Sequence, residues 1–441
     1  MTPQDHEKSE KQASTRVVKI GPMTRVEGEG SLLIQTEGDR VRNIELNIFE
    51  PPRFFEALLR GRAFHEAPDI TSRICGICPV AYQMSAVHAI EGGLGVIMPD
   101  SIRLLRRLLY CGEWIESHVL HIFLLHAPDF LGLPDAISLG RAERHRLETG
   151  LRLKKLGNRI MSLLGGREIH PINVKVGGFY KVPARAKLLE LSEELLWAVE
   201  AAKDTLDWVS DFTFPEFDMD TEYVALQNPR EYPMNEGRIV SSRGLNLGSQ
   251  DFERHFEEFQ VPQSTALHAK RRGHGSYLTG PMARFKLNFA TLPSWVQKLA
   301  QDCGIPAPFH NPYRSIQIRA LEVIYACQEA HRLIQNYEEG HASSVELNVR
   351  AGIGCAATEA PRGLLYHRFE WDHEGTILAA RIVPPTSQNQ SRMEEDLSRL
   401  VGNLLSFPDE ELASQCERFV RNFDPCISCA THFLKLKHER L

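Results

Sequence analysis

Two Cys-x-x-Cys pairs stand at opposite ends of this chain, and they constrain its fold more than any other feature. Cys75 and Cys78 lie in RICGICPVAY, and Cys426 and Cys429 lie in DPCISCATHFLKLKHERL, with 348 positions from Cys78 to Cys426. The turn within each pair points both sulfurs the same way, so two pairs offer four thiolates to one site. Such a donor set suits zinc, iron–sulfur clusters or another soft-ligand metal. Structural zinc is the commonest use of paired Cys-x-x-Cys, but zinc ribbons bring their pairs close in sequence. A site that joins both ends ties the whole fold around one metal, which suits a buried catalytic centre better than a local staple.

The rest of the chain can build a body around such a centre. At 441 residues it is long for one domain and comfortable for two. Apolar residues make up 42%, enough for a large core, and a net charge of −6 favours neither nucleic acid nor a membrane surface. No apolar run approaches the ~20 residues of a membrane span. The opening MTPQDHEKSEKQASTR is polar, lacks a signal-peptide core and reads as a disordered tail over residues 1–16. Nine cysteines, an odd number, argue against a disulfide framework and for a reducing compartment. Cys111, Cys303, Cys327, Cys355 and Cys416 stand singly and read as small buried core residues.

Apolar alternation over 17–50 predicts a small sheet with turns at Gly21 and Gly38. Three- and four-residue apolar spacing predicts helices over 81–95 and 101–126, the second with Asp100 or Ser101 as N-cap, and further helices over 141–165, 183–210 and 315–340. Short strands are expected near 219–226, 237–240, 344–349 and 376–383. The fold class that follows is α+β, mainly α: a long-helix bundle core with small peripheral β-sheets.

The flanks of the cysteine pairs carry a resemblance. RICGIC and DPCISCATH, in this order and at these ends, resemble the large, catalytic subunit of nickel–iron hydrogenases. The likeness continues through TRVEGEG, RFFE, SHVLH, HPINVKVGGF, EAPRG and PPTSQN, nearly the whole chain. It implies that residues 17–432 form a single catalytic unit of the hydrogenase large-subunit fold, performing reversible H2 cleavage to protons and electrons. It implies that Cys75, Cys78, Cys426 and Cys429 bind nickel. Cys78 and Cys429 would bridge to an iron carrying carbonyl and cyanide ligands, and Cys75 and Cys426 would be terminal. Soft, electron-rich thiolates suit a metal that changes oxidation state.

By the same resemblance Cys426 is a candidate base, and Glu27 relays its protons, a role that a partly desolvated carboxyl with a raised pKa can fill. Arg362 forms a canopy over the metals with its fork of donors, steadied by Asp424. Pro361 packs beside the diatomic ligands, and Thr386 bonds one cyanide. Glu56, His432 and a backbone carbonyl near Ile382 match the ligands of a magnesium ion. Electrons would pass to a small subunit with iron–sulfur clusters, because this chain has too few spare cysteines for its own relay. The wording of HPINVKVGGF and PTSQN is similar to the soluble cytoplasmic branch, whose flavin diaphorase subunits exchange electrons with NAD(P). A maturation endopeptidase would cut after His432 and release residues 433–441.

Some positions depart from the family pattern. Tyr82 stands where histidine is usual, Glu29 replaces the histidine of RIEGH-type motifs, and Ser117 replaces a canopy aspartate. His118, His121 and His126 lie at helical spacing without an HExxH carboxylate and read as packing or hydrogen-bonding residues. GIGCAA (352–357) imitates a dinucleotide loop, but Pro361 follows too soon for the long helix that such a loop opens. Two alternatives stay open: a hydrogenase-like subunit that lines a quinone site without metal, and a scaffold of an electron-transfer complex holding structural zinc.

Overall fold

The computed structural model describes residues 15–305, 309–340 and 342–431. The chain starts with an antiparallel sheet of β1 (Thr15–Ile20), β2 (Gly30–Glu37) and β3 (Arg40–Ile48), in that order. Its alternation buries Leu32, Ile34, Leu46 and Ile48, and Gly38 turns the second hairpin at φ 55°. The sheet starts two residues inside the stretch read as a tail. Arg16 is held there by bonds to the carbonyls of Leu405 (2.8 Å) and Phe407 (2.7 Å).

The body is helical. α1 (Pro79–Leu94) is followed by α2 (Asp100–Val119), α3 (Arg144–Gly165), α4 (Ser192–Ser210) and α5 (Ser315–Gln335). α2 packs against α3 and α5, and α4 lies along α5. α2 runs on through a wider π turn, Leu120–His126, so the helix expected to 126 is present with its last turns loosened. Its N-cap is Pro99 rather than Asp100 or Ser101. Asp100 instead lies in the first turn, where its charge meets the positive end of the helix.

A second antiparallel sheet, β4 (Gly352–Ala360), β5 (Gly363–Trp371) and β6 (Ile377–Val383), packs on α1. β4 and β5 are not among the expected strands; β4 escapes the patterns because it is built of small residues and is buried along most of its length. The GIGCAA segment is the start of β4 and opens no helix. A Cβ on Gly354 would lie 1.8 Å from the carbonyl oxygen of Ala89, so the glycine is there to let strand and helix touch. The strand expected over 344–349 is absent. Only Ser344 makes a bridge, to Gly178, and the segment runs half-exposed along that edge. The strands near 222 and 238 are present in a four-stranded sheet (Tyr277–Leu278, Glu222–Gln227, Arg238–Ser241, Asn246–Leu247).

After β6, PPTSQN opens α6 (Pro385–Asn403), with Pro385 at the first helical position, where its missing N–H costs nothing. Cys111, Cys327 and Cys416 are buried as expected, but Cys303 and Cys355 are only half-buried. Cys355 lies near the rim, where the Tyr366 hydroxyl reaches its sulfur at 3.4 Å. Among the described residues no helix is long and apolar enough to cross a membrane. The mainly helical α+β architecture is the one the sequence patterns lead to.

Candidate metal centre

Each cysteine pair sits where a chain turn meets a helix start. Cys78 is the N-cap of α1, and Cys426 caps the short helix Ile427–Ala430, which contains Cys429. The fold brings all four sulfurs within 4.8 Å of one another, each cysteine buried. Cys75 Sγ lies 3.4 Å from Cys426 Sγ, and Cys78 Sγ lies 3.6 Å from Cys429 Sγ. Hydrogen bonds from Cys426, and then from Cys429 and Cys78, hold Cys75 well below the usual thiol range. Burial pushes Cys426 and Cys429 up. The amides of Ile77 and Cys78, both 3.3 Å from Cys75 Sγ, also favour its thiolate. Holding all four as thiolates, sealed from water, needs positive charge beyond that of Arg362. A soft metal supplies it, so the donor set fits a metal centre.

Arg362 lies buried above this cluster. Its Nε donates to the Asp424 carbonyl at 2.9 Å, its Nη2 to Asp424 Oδ1 at 3.2 Å and its Nη1 to Ser117 Oγ at 3.4 Å. Thr386 Oγ1 accepts the amide of Cys426 at 3.0 Å. Glu27 pairs with Cys426 in an isolated parallel bridge. Its carboxylate accepts the Ser428 amide at 3.1 Å and also the Ser428 hydroxyl. Burial raises the Glu27 carboxyl, the Cys75 charge adds to the rise, and hydrogen bonds from Ser428 and Cys426 pull it back. Glu56 and Ile382 meet: the Ile382 amide donates to Glu56 Oε1 at 2.8 Å. His432 lies outside the described residues.

Residues 53–149 and 275–432 match the nickel-dependent hydrogenase family. The alpha subunit of sulfhydrogenase 2 from Pyrococcus furiosus is 33% identical over 95% of this chain and its own full length. The chain belongs to the nickel-dependent hydrogenases. It is a large, catalytic subunit of that family. The beta subunit of the NAD-reducing hydrogenase HoxS from Cupriavidus necator is 26% identical over 95% of each chain. A solved NAD+-reducing nickel–iron hydrogenase in its H2-reduced state superposes with a TM-score of 0.87 at 25% identity, covering 95% of this chain and 100% of that one.

Within this hydrogenase fold the departures find places. Tyr82 is buried on α1 facing the cluster, and burial together with the charges of Cys429, Cys78 and Cys75 raises its phenol far above the usual range. It is therefore a neutral hydroxyl there and no base. Ser117 accepts one of the hydrogen bonds of Arg362. His118 Nε2 lies 2.8 Å from Glu322 Oε2, and His121 Nε2 lies 2.7 Å from the Arg421 carbonyl oxygen. Burial lowers both histidines, His118 to about 4, so they are neutral packing groups.

Sequence reasoning missed three supports. Glu113 accepts the amides of Val80 (2.6 Å) and Ala81 (3.1 Å) and so caps the helix that Cys78 opens. Arg53 donates to the carbonyls of Ile74 (2.8 Å) and Ser428, while its amide donates to Thr431 (2.8 Å), strapping the two cysteine segments together. Arg284 grips the strand that leads to Arg362. Arg53 stands inside the quoted RFFE and could have been read from it. Glu113 and Arg284 carry no local signal.

Proposed function

We propose that this chain is the H2-cleaving subunit of a cytoplasmic, heteromeric hydrogenase that passes electrons to an iron–sulfur small subunit and, through flavin diaphorase subunits, to NAD(P). One observation carries the reading: four buried sulfurs from the two ends of the chain lie within 4.8 Å of one another beneath the Arg362–Asp424 pair. The NAD-reducing relatives support the choice of acceptor. Cys75, Cys78, Cys426 and Cys429 would hold a nickel–iron centre whose iron carries carbonyl and cyanide. When bound, that centre supplies the two-electron chemistry that separates H2 into protons and electrons.

The residues of the chain handle charge and protons around it. Cys426 Sγ takes a proton and hands it to the Glu27 carboxylate, with which it shares a hydrogen bond. Ser428 Oγ, bonded to Glu27 and 3.4 Å from Glu50 Oε1, leads outward. Arg362 keeps its charge in a site sealed from water, where the charges of Cys426, Cys78 and Cys75 reach it and Asp424 fixes its plane. Pro361 would pack beside the diatomic ligands, and the hydroxyl of Thr386, which accepts the Cys426 amide, would have its own proton left for a cyanide. Glu56 and the Ile382 carbonyl, with His432, would hold magnesium against the C-terminal segment. Residues 433–441 would be a tail removed by a maturation endopeptidase, leaving 17–432 as one catalytic unit.

Metal analysis with infrared spectroscopy tests this. Matured protein is expected to hold nickel and iron in about equal amounts and to show carbonyl and cyanide bands. Zinc alone, without those bands, refutes the reading.

A further inference from the structure

The canopy arginine cannot hold its own place. Arg362 follows Pro361 at the turn between β4 and β5, and its guanidinium reaches across to Asp424 on the C-terminal segment. A short element on the far side grips that turn. Arg284, in the helix Pro281–Asn288 and fully buried, donates Nη1 to the Ala360 carbonyl and Nη2 to the Pro361 carbonyl, both at 2.9 Å. These are the two peptide oxygens immediately before Arg362.

The same segment touches the other side of the turn. Gly280 has φ +117°, and a Cβ there would lie 2.8 Å from the Arg362 carbonyl oxygen. Thr279 Oγ1 accepts the Leu364 amide at 2.7 Å. One stretch, Thr279–Arg284, therefore contacts the main chain at Ala360, Pro361, Arg362 and Leu364.

The grip is itself anchored. Glu322 on α5 binds Arg284 through two parallel bonds, 2.8 Å to Nε and 2.7 Å to Nη2, the geometry that fixes a guanidinium plane. Trp114 lies 4.4 Å from the Arg284 carbon on the ring face. Asn389 on α6 accepts the Thr279 amide at 2.8 Å and donates to its carbonyl at 3.1 Å. Thr386, one turn earlier on α6, holds the amide of Cys426. The first two turns of α6 thus set the clamp and the cysteine segment against one another.

We infer that Thr279, Gly280 and Arg284 form a positioning clamp that registers Arg362 over the four cysteines, with Arg284 acting through the Ala360 and Pro361 carbonyls. Arg284 is charged and buried, paired with the carboxylates of Glu322 and of Glu359 (3.0 Å to Nη1), and placing it on main-chain oxygens as well costs desolvation that apolar packing would avoid. Here that cost is spent on the two residues preceding the canopy. The inference rests on the canopy role given to Arg362 above.

The test uses the matured holoenzyme and a double-mutant cycle between Arg284→Lys and Arg362→Lys, with turnover expressed per bound nickel. Lysine keeps the charge of Arg284 but cannot reach both carbonyls and Glu322 together. Arg284→Lys is expected to keep its nickel and iron and to lose about tenfold or more in turnover, and the double variant to turn over within about threefold of Arg362→Lys alone. A purely structural Arg284 would instead lower metal content, or give losses that multiply with that of Arg362→Lys. Either result overturns the clamp, as does turnover per nickel within about twofold of the parent. Thr279→Val, uncharged and of the same shape, runs the same cycle if the lysine variant does not fold, with the same two outcomes. Full turnover in Arg362→Lys is a separate result and refutes the canopy role itself.

Discussion

Glu27→Gln separates proton handling from architecture at the metal centre. In the folded chain Glu27 accepts the Ser428 amide at 3.1 Å and the Ser428 hydroxyl, and its own carbonyl accepts the Ile427 amide at 3.0 Å. Glutamine keeps the main-chain bond and an oxygen for the Ser428 amide. Its NH2 can face Ser428 Oγ, which accepts as well as donates. The bond count is unchanged, so the stability cost should stay within about 1 kcal/mol. What disappears is the exchangeable proton. Burial lifts the carboxyl first, the Cys75 charge lifts it further, and bonds from Ser428 and Cys426 restrain it. A group balanced in this way can take a proton from a thiol and release it. A positioned acid–base group contributes roughly 10²–10⁴-fold, or about 3–5 kcal/mol of barrier. H2-dependent dye reduction per nickel, with isotope exchange between D2 and water, is the assay. Turnover should fall by about a hundredfold or more at full metal content, with a melting point within about 3 °C of the parent. Turnover within about threefold of the parent would refute the relay, and a loss that tracks missing nickel would make Glu27 a builder of the site instead.

Two further outcomes follow from packing and linkage. Gly354→Ala drives a Cβ to 1.8 Å from the Ala89 carbonyl oxygen, which is main chain and cannot swing aside, so β4 and α1 must separate. A loss of about 2–3 kcal/mol is expected in chemical denaturation, with lower nickel content because Cys78 starts α1; unchanged stability contradicts the close approach. Glu394 on α6, which accepts the Leu46 amide at 2.8 Å, is raised by burial from 4.5 to about 7. The folded chain therefore keeps a proton that the unfolded chain has released across that window, and this contribution, full below 4.5, is lost as pH rises through 7. Glu394→Gln cannot ionise, so its stability relative to the parent should rise between pH 5 and 8 by on the order of 2 kcal/mol. A difference that stays flat with pH refutes it.

The thiolate set was legible because cysteine spacing states its chemistry outright, and Glu27, Arg362, Thr386 and Asp424 came with the motifs that surround it. The supports were not. Glu322 sits in IQIRALEV, where charges at helical spacing imitate a solvated face; only the packing of α5 against α2 buries it beside Arg284. β4 was hidden by its small residues, whose purpose is contact with α1 rather than β propensity. α6 was hidden by Pro384 and Pro385, which read as loop until the second is seen at the first helical position. Each omission concerns a residue whose role is set by what arrives from far along the chain.

That distance bears on how the centre closes. The helix carrying Cys429 has four residues and no room for a stable turn of its own. It is held from outside: by Glu27 through main chain and carboxylate, by Arg53 through the Ser428 and Thr431 carbonyls, and by Thr386 through the Cys426 amide. Three of the partners that fix the C-terminal pair belong to segments that precede it by 40 to 401 positions. Cys75 and Cys78 rest on α1 and its Glu113 cap, a framework that does not need the last residues of the chain. The two pairs therefore differ in how they are placed: Cys78 starts a long helix capped by Glu113, whereas the short C-terminal helix takes its position from Glu27, Arg53 and Thr386. With those contacts made, all four sulfurs are buried within 4.8 Å of one another, and burial of four thiolates so close together is favourable when a metal offsets their charge.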